Sequence, residues 1–449
     1  MRLPNKQTAV RLLARYPLHW ALPPGGLRTC GALLYHAEHS PEKLARLAKR
    51  RIPTRRLAIA LVAARAAFRV GLDDLVEQAL RDLARRFPDA AGPHLLRADY
   101  EAHYGRYAEA LRSAERAQAA HPGWPSATAR AVKLAYRVRE PEVADAAAVA
   151  AVARFPRDSE VLWAACKACD SPAQARRLRQ AWQGRSRGPA DLVFAVRPLA
   201  LAAARAGEIE TAVSLFREAI GLILAGKAEP RRVPDDKLGG RGAWQTIVDL
   251  CEALDTARVR FFFAAGTALG LVRQGGPLSA DSDVDVGIFE ADWDRDALIK
   301  VFTEHPRFDL DLHPQTQKVS LRHRGGSPVD VFRFYREGER VWHDGVFVRW
   351  HNSPFAVTRR EVRGLRVPLP AEADRYLTEN YGDWRVPRPG FDAFTEDAPN
   401  LEVTWPEYQK LHFLRRAYQR LGAGDRIAAR RELERAGEPD LAGQADRSG

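Results

Sequence analysis

Three aspartates at alternate positions, Asp281, Asp283 and Asp285, are the residues in this sequence best suited to chemistry. On a strand, Val284, Val286 and Ile288 face one way and the three acids the other. Same-face positions lie about 7 Å apart, so two such carboxylates can flank a pair of metal ions roughly 3.5–4 Å apart. Oxygen-only ligands favour Mg²⁺ or Mn²⁺. A phosphoryl-transfer site of this kind needs a further carboxylate from another strand. Pro328-Val329-Asp330-Val331-Phe332 supplies a single acid inside an apolar run. A lone buried carboxylate is costly without a metal or a proton partner, which makes Asp330 the third acid. The competing reading is an edge-strand surface position.

The stretch ahead of the acids has to position a phosphate beside them. Phe261 to Ala264 reads as a buried strand, Gly266-Thr267 as the turn leaving it and Ala268 to Gln274 as a short helix. A helix starting at such a turn offers free N–H groups and the positive end of its dipole to an anion, and glycine lets the backbone come close. Arg273 can neutralise a diphosphate bidentately, with a salt bridge to the acids as its structural alternative. Asp281 is either an outer ligand or a strand cap. Tyr381 and Trp384 can stack on a base or sugar, or close the core as an aromatic pair.

Together, Gly266-Thr267, Leu269-Gly270, Arg273 and Asp281-x-Asp283-x-Asp285-x-Gly287-Ile288 resemble the LicD/fukutin family of nucleotidyltransferase-fold proteins. Val329-Asp330-Val331-Phe332 resembles the family's third-acid strand. Tyr376-Leu377 through Tyr381-Gly382-Asp383-Trp384 resembles its Tyr-Leu…Tyr-Gly-Asp-Trp segment. The resemblance covers about residues 243 to 390. Ser279-Ala280 stands where the family usually has Pro-Trp, and the zinc-type cysteines of some animal members are missing. It implies an α+β core and transfer of a phospho-alcohol, such as phosphocholine, ribitol phosphate or glycerol phosphate, from a CDP-alcohol donor to a glycan acceptor. Asp283, Asp285 and Asp330 are then catalytic and metal-binding. Gly266, Thr267, Arg273, Asp281, Tyr381 and Trp384 are substrate-binding.

A second alternating pair, Asp309 and Asp311, lacks the Gly-Thr turn and reads as a solvated strand face. His313, His323, His343 and His351 have no metal-ligand spacing to one another and read as surface or hydrogen-bonding residues.

The amino-terminal half is organised differently. Phe87-Pro88, His121-Pro122 and Phe155-Pro156 recur at intervals of 34, with Gly71, Gly105 and Gly207 on the same grid. Ala110, Ala144 and Ala212 form one small-residue set and Ala117, Ala151 and Ala219 another, as close helix packing requires. Thirty-four is the tetratricopeptide period, and Ala206-Gly207-Glu208-Ile209-Glu210-Thr211-Ala212 resembles that consensus. Stacked hairpins would offer a concave surface to a protein partner, or serve only as scaffold.

The composition, 46% hydrophobic and 28% charged over 449 residues, allows more than one core. Of the net charge of +13, residues 1 to 56 hold +10, from twelve Lys/Arg against two Glu. That segment, residues 43–56 above all, could touch an anionic membrane or be a solvated arm. No nucleic-acid module accompanies it, so no nucleic acid is expected. Four cysteines are too few for a disulfide scaffold, and Cys166-x-x-Cys169 has no second pair to complete a zinc site. The longest apolar run, Leu57 to Ala64, stops at Arg65, so neither a signal peptide nor a spanning helix is expected. A cytoplasmic protein with contact at the inner face of the membrane is the resulting expectation.

The expected fold is α+β: an amino-terminal α-helical tetratricopeptide-like solenoid followed by a nucleotidyltransferase-fold mixed-sheet domain. The expected segments are a basic stretch 1–56, helical repeats 57–225, a linker 226–242, the transferase domain 243–420 and a tail 421–449, disordered from 437. The expected activity is a Mg-dependent phospho-alcohol transfer. The alternatives are a nucleotidyltransferase using an NTP, and a repeat-based scaffold with an inactive transferase domain.

Overall fold

The computed structural model describes Ile52, Arg55 and residues 57–69, 71–232, 240–279, 281–305, 307–311, 318–388 and 390–447. The chain divides into two compact units, Met1–Val138 and Arg139–Gly449. The basic stretch expected to meet a membrane lies almost wholly outside the described residues, as do 233–239 of the expected linker. Among the described residues no helix is long and apolar enough to cross a membrane.

The first unit is helical, from α1 (Leu57–Arg69) through α2 (Asp73–Arg86), α3 (Ala91–His103) and α4 (Tyr107–Ala120) to α5 (Pro125–Val138). Apolar residues at helical spacing, among them Val76, Ala79, Leu80 and Leu83 of α2, meet Ala60, Ala64, Leu96 and Tyr100 in its core.

The second unit opens with α6 (Pro141–Arg154), α7 (Ser159–Lys167), α8 (Pro172–Gln183), α9 (Pro189–Arg205) and α10 (Ile209–Leu224). The 34-residue phase has a conformational basis in both units. Gly71, Gly105 and Gly207 all adopt positive φ, at 78°, 71° and 79°, where a side chain would be strained. Phe87, His121 and Phe155 end their helices with φ of −136°, −142° and −126°, each ahead of a proline that cannot continue the helix. Cys166, Cys169 and Cys251 are free and buried, as small core residues.

A mixed sheet follows helix α11 (Gly240–Thr256). Its strands are β1 (Phe262–Phe263), β2 (Val284–Phe289), β3 (Phe308–Asp311), β4 (Lys318–His323), β5 (Pro328–Glu337), β6 (Arg340–Asp344), β7 (Val348–Asn352) and β10 (Leu401–Val403). The order runs β1-β2-β5-β6-β7-β10, with β4 also pairing β5 and β3 pairing β4. Strands β2 and β5 are parallel and the other pairs antiparallel. A separate hairpin joins β8 (Val357–Val362) to β9 (Leu365–Pro370). Helices α11 and α13 (Arg295–Glu304) pack against strands of this sheet, α11 on β2 and α13 on β3 and β4. Helix α12 (Ala265–Gln274) meets β2, and α14 (Ala373–Tyr381) meets β7 and β9.

The buried face of this sheet is aromatic: Phe262 contacts Phe289, Phe334 and Phe355 with ring centroids 5.2, 4.9 and 5.2 Å away. Gly287 makes the arrangement possible, because a Cβ there would run into the Phe262 ring and lie 2.8 Å from that of Phe334.

The carboxyl-terminal region corrects the expected tail. After α15 (Pro406–Gly422), residues Arg426–Arg435 form α16 and Pro439–Arg447 form α17. Tyr418 of α15 donates to the Val193 carbonyl of α9 at 2.6 Å and its ring meets Phe216 of α10. Arg217 of α10 donates through Nε to both carboxylate oxygens of Glu438, at 3.1 and 3.0 Å. The last helices therefore pack back on α9 and α10, so in sequence the sheet domain is inserted between helices that touch one another. The many charges of α16 suggest a solvated tail, yet Ala429, Glu432 and Leu433 turn inward.

Candidate active site

Parallel pairing of β2 with β5 puts Asp285 directly beside Asp330, with the valines Val284, Val329, Val286 and Val331 turned to the other face. The strand begins only at Val284, so of the three alternating acids Asp285 alone lies on β2, and Asp281 and Asp283 precede it on the connection from α12. Asp285 is buried, while Asp281 and Asp283 are half-buried.

The four acids repel one another in a poorly solvated place. Burial, then the charge of Asp283, pushes Asp281 up to about 7, against a hydrogen bond from the Ser282 amide. Burial and Asp330 raise Asp283, opposed by the Ser282 hydroxyl and Lys318. Asp285 is raised well above the usual carboxylate range, by burial first and then by Asp283, Asp281 and Asp330.

Helix α12 begins one residue before the expected turn, so Gly266 and Thr267 lie in its first turn and form no separate loop. Ala265 sits at φ 43°, and its amide donates to the Tyr376 hydroxyl at 3.1 Å, so this first-turn N–H is already used. Gly266 has another use: any Cβ there would collide with the Asp281 carboxylate. Glycine thus admits Asp281 to the positive end of the helix. Thr267 is buried, and its hydroxyl accepts from the Asp285 amide at 2.9 Å, fastening α12 to β2. It positions the acid strand.

Arg273 donates through Nη1 to the Trp384 carbonyl at 3.1 Å. Trp384 is buried, and its indole N–H donates to Asp374 at 3.2 Å, so the structure favours the core role for it over stacking on a ligand. Tyr381 is different. Its ring lies against Phe391 and its hydroxyl is raised well above the usual range by burial, then Tyr376, Asp285, Asp281 and Asp283, which places it within electrostatic reach of the acids.

Two residues absent from the sequence-based set belong to the site. Lys318 Nζ donates to Asp330 Oδ2 at 2.6 Å, and the Ser320 hydroxyl donates to Asp330 Oδ1 at 2.6 Å. Both lie on β4, where Ser320 is the register partner of Asp330. The signal was present as Lys-x-Ser at alternate positions of a strand beside the third acid.

These contacts bear on a cation. Among the described residues no three His, Cys, Asp or Glu side chains converge as a ready metal cage, and both oxygens of Asp330 accept from Lys318 and Ser320. Asp283 and Asp285, with Asp281 beside them, still form a hard oxygen donor set whose mutual repulsion a divalent cation relieves.

The other acids and histidines separate from this place. Asp309 and Asp311 lie on β3 at the far side of β4, and the side chain of Asp311 and all of His313 fall outside the described residues. His323 is buried against Asp249 at 2.8 Å, His343 is buried against Phe334 and Trp350, and His351 pairs with Glu402.

Residues 258–372 match the family described as LicD/FKTN/FKRP, nucleotidyltransferase domain. The chain is 30% identical over 163 residues to the ribitol-5-phosphate transferase FKTN of Mus musculus, a match covering 33% of this chain and 34% of that protein. It is 26% identical over 166 residues to the FKTN of Homo sapiens, covering 34% and 36%. The chain thus spans about a third of the length of the curated relatives it matches. The matched segment holds the acid strands β2 and β5, helix α12 and the Lys318–Ser320 strand, so the similarity to the LicD/FKTN/FKRP nucleotidyltransferase domain falls on the residues that form the site.

Proposed function

We propose that this domain transfers a phospho-alcohol, ribitol phosphate first among the candidates, from a CDP-alcohol to a glycan hydroxyl. The observation that supports it most is the meeting of Asp285 and Asp330 on two parallel strands inside the family segment, with Asp283 just ahead of the first of them. The relatives' name, ribitol-5-phosphate transferase, favours that alcohol.

Asp283 and Asp285, with Asp281, would hold Mg²⁺ or Mn²⁺. When bound, such a cation supplies charge stabilisation at the attacking and leaving oxygens of an in-line displacement. The acceptor oxygen bonds to the phosphorus that carries the alcohol, the phosphorus–oxygen bond to CMP breaks, and the hydroxyl proton passes to a site carboxylate. Asp330 already accepts from Lys318 and Ser320 and is the least free of the four to take it. Tyr381, half-buried near the acids, limits water on that side.

The test is product detection with the full chain, Mg²⁺, a panel of sugars and CDP-ribitol, CDP-glycerol or CDP-choline in turn. CMP from one donor, absent with Asp283→Asn, is the expected result. Pyrophosphate released from an NTP, or CMP release untouched by the substitution, would overturn the assignment.

A further inference from the structure

Lys318 opens strand β4, two residues before Ser320 and on the same side of the sheet. Its register partner is Phe332, so its side chain runs diagonally to reach Asp330, and Nζ stands 5.5 Å from the Phe332 ring centroid. The ammonium has three donors, of which Asp330 Oδ2 takes one. The side chain remains 29% exposed, so a ligand entering the acid site can reach it. Its positive charge offsets the repulsion felt at Asp283 and Asp285 as well as pairing with Asp330.

A diphosphate brought to four carboxylates meets strong repulsion unless fixed positive charge is waiting there. Arg273, the sequence-based candidate, is seven residues along α12 from Gly266, about 10 Å at the helical rise, and donates to a backbone carbonyl. Lys318 stands among the acids. Asp330, gripped at one oxygen by Ser320 and at the other by Lys318, holds the ammonium in place.

We propose that Lys318 is a diphosphate-binding cation of this site, donating from Nζ to a phosphoryl oxygen, and that Asp330 and Ser320 are positioning residues that aim it. The donor's identity rests on the phospho-alcohol transfer reading, whereas the binding of a diphosphate does not.

The experiment titrates inorganic pyrophosphate, and separately CDP, into the full chain with Mn²⁺ present, by calorimetry. Lys318→Gln keeps a donor for Asp330 but loses the charge, and circular dichroism verifies that it folds. It should bind both ligands about tenfold to a hundredfold more weakly, the range of one charge-assisted hydrogen bond. Lys318→Arg should restore binding to within about threefold, as a retained charge predicts. Asp330→Asn should weaken pyrophosphate while leaving Mn²⁺ affinity within about threefold, because a positioning residue is not a metal ligand. Unchanged pyrophosphate binding in Lys318→Gln, or loss of Mn²⁺ binding in Asp330→Asn, overturns the proposal. Lys318-dependent binding of pyrophosphate without binding of CDP upholds it and removes the CDP-donor reading. Binding of neither ligand by the unsubstituted chain overturns both.

Discussion

Two aspartates of the sheet domain are buried to a similar degree and behave in opposite ways. Asp249 on α11 is 1% exposed and Asp285 on β2 is 9% exposed. Asp249 accepts from His323 at 2.8 Å, Gln245 at 2.8 Å and Arg307 at 3.2 Å. Burial pushes its carboxyl up, but His323, Gln245 and Arg307 outweigh that and hold it below the usual range. Asp285 has burial and three like-charged neighbours instead, and is driven upward. One acid fastens a helix to a strand; the other is crowded by like charges and pushed toward its protonated form. Buried acids with their partners supplied serve structure, and buried acids left among their own kind mark the place where a cation or substrate belongs.

The largest effect expected from this contrast is on activity. Asp285→Asn or Asp283→Asn should lower turnover by on the order of 10³, as loss of a group acting directly on transition-state charge does. Neither should lower the melting temperature, because each removes repulsion; melting curves beside initial rates check both halves. Asp249→Asn should do the reverse, costing about 3 kcal/mol because Arg307 and His323 lose a buried partner, with the folded fraction still active. Denaturant titration measures it.

An intermediate effect sharpens the comparison through pH. Asp281 stands near 7 when folded and near 3.9 when unfolded, so across about pH 4 to 7 the folded chain keeps a proton that the unfolded chain gives up. Without divalent ions, stability should therefore fall as pH rises through that window, and Asp281→Asn should flatten the slope. Asp249 has the opposite sign: its depressed pKa gives stability that is present above the ordinary carboxylate range and lost as pH falls below it. Melting temperature against pH, with and without Mn²⁺, separates the two. Gly287→Ala should cost roughly 1–3 kcal/mol by crowding Phe262 and Phe334. The smallest effect belongs to Asp309→Asn on β3, which should leave turnover and Mn²⁺ affinity within about twofold, since surface changes away from a site alter little.

Much of this was legible in the chain itself. Period-two alternation placed Asp285 opposite Val284 and Val286, and the apolar run around Asp330 marked the strand beside it, because strand geometry ties sequence parity to side-chain direction; Asp281 and Asp283 fall ahead of the strand, which begins at Val284. The 34-residue grid likewise corresponds to glycines at positive φ and to helix ends before proline. Partners set by tertiary register were not legible. Lys318 and Ser320 reach Asp330 only because β4 lies antiparallel to β5, and the Thr267 hydroxyl turns inward because the Asp285 amide needs an acceptor there. Strands β6 and β8, rich in charged residues, gave no clear alternation, and the inward face of α16 was masked by its arginines and glutamates.

Mn²⁺ binding to the full chain, followed by electron paramagnetic resonance, shows whether Asp283 and Asp285 hold a divalent cation. Saturable binding at neutral pH that disappears in Asp285→Asn and persists in Asp309→Asn is expected. Absence of saturable binding, or binding indifferent to Asp285, would contradict it.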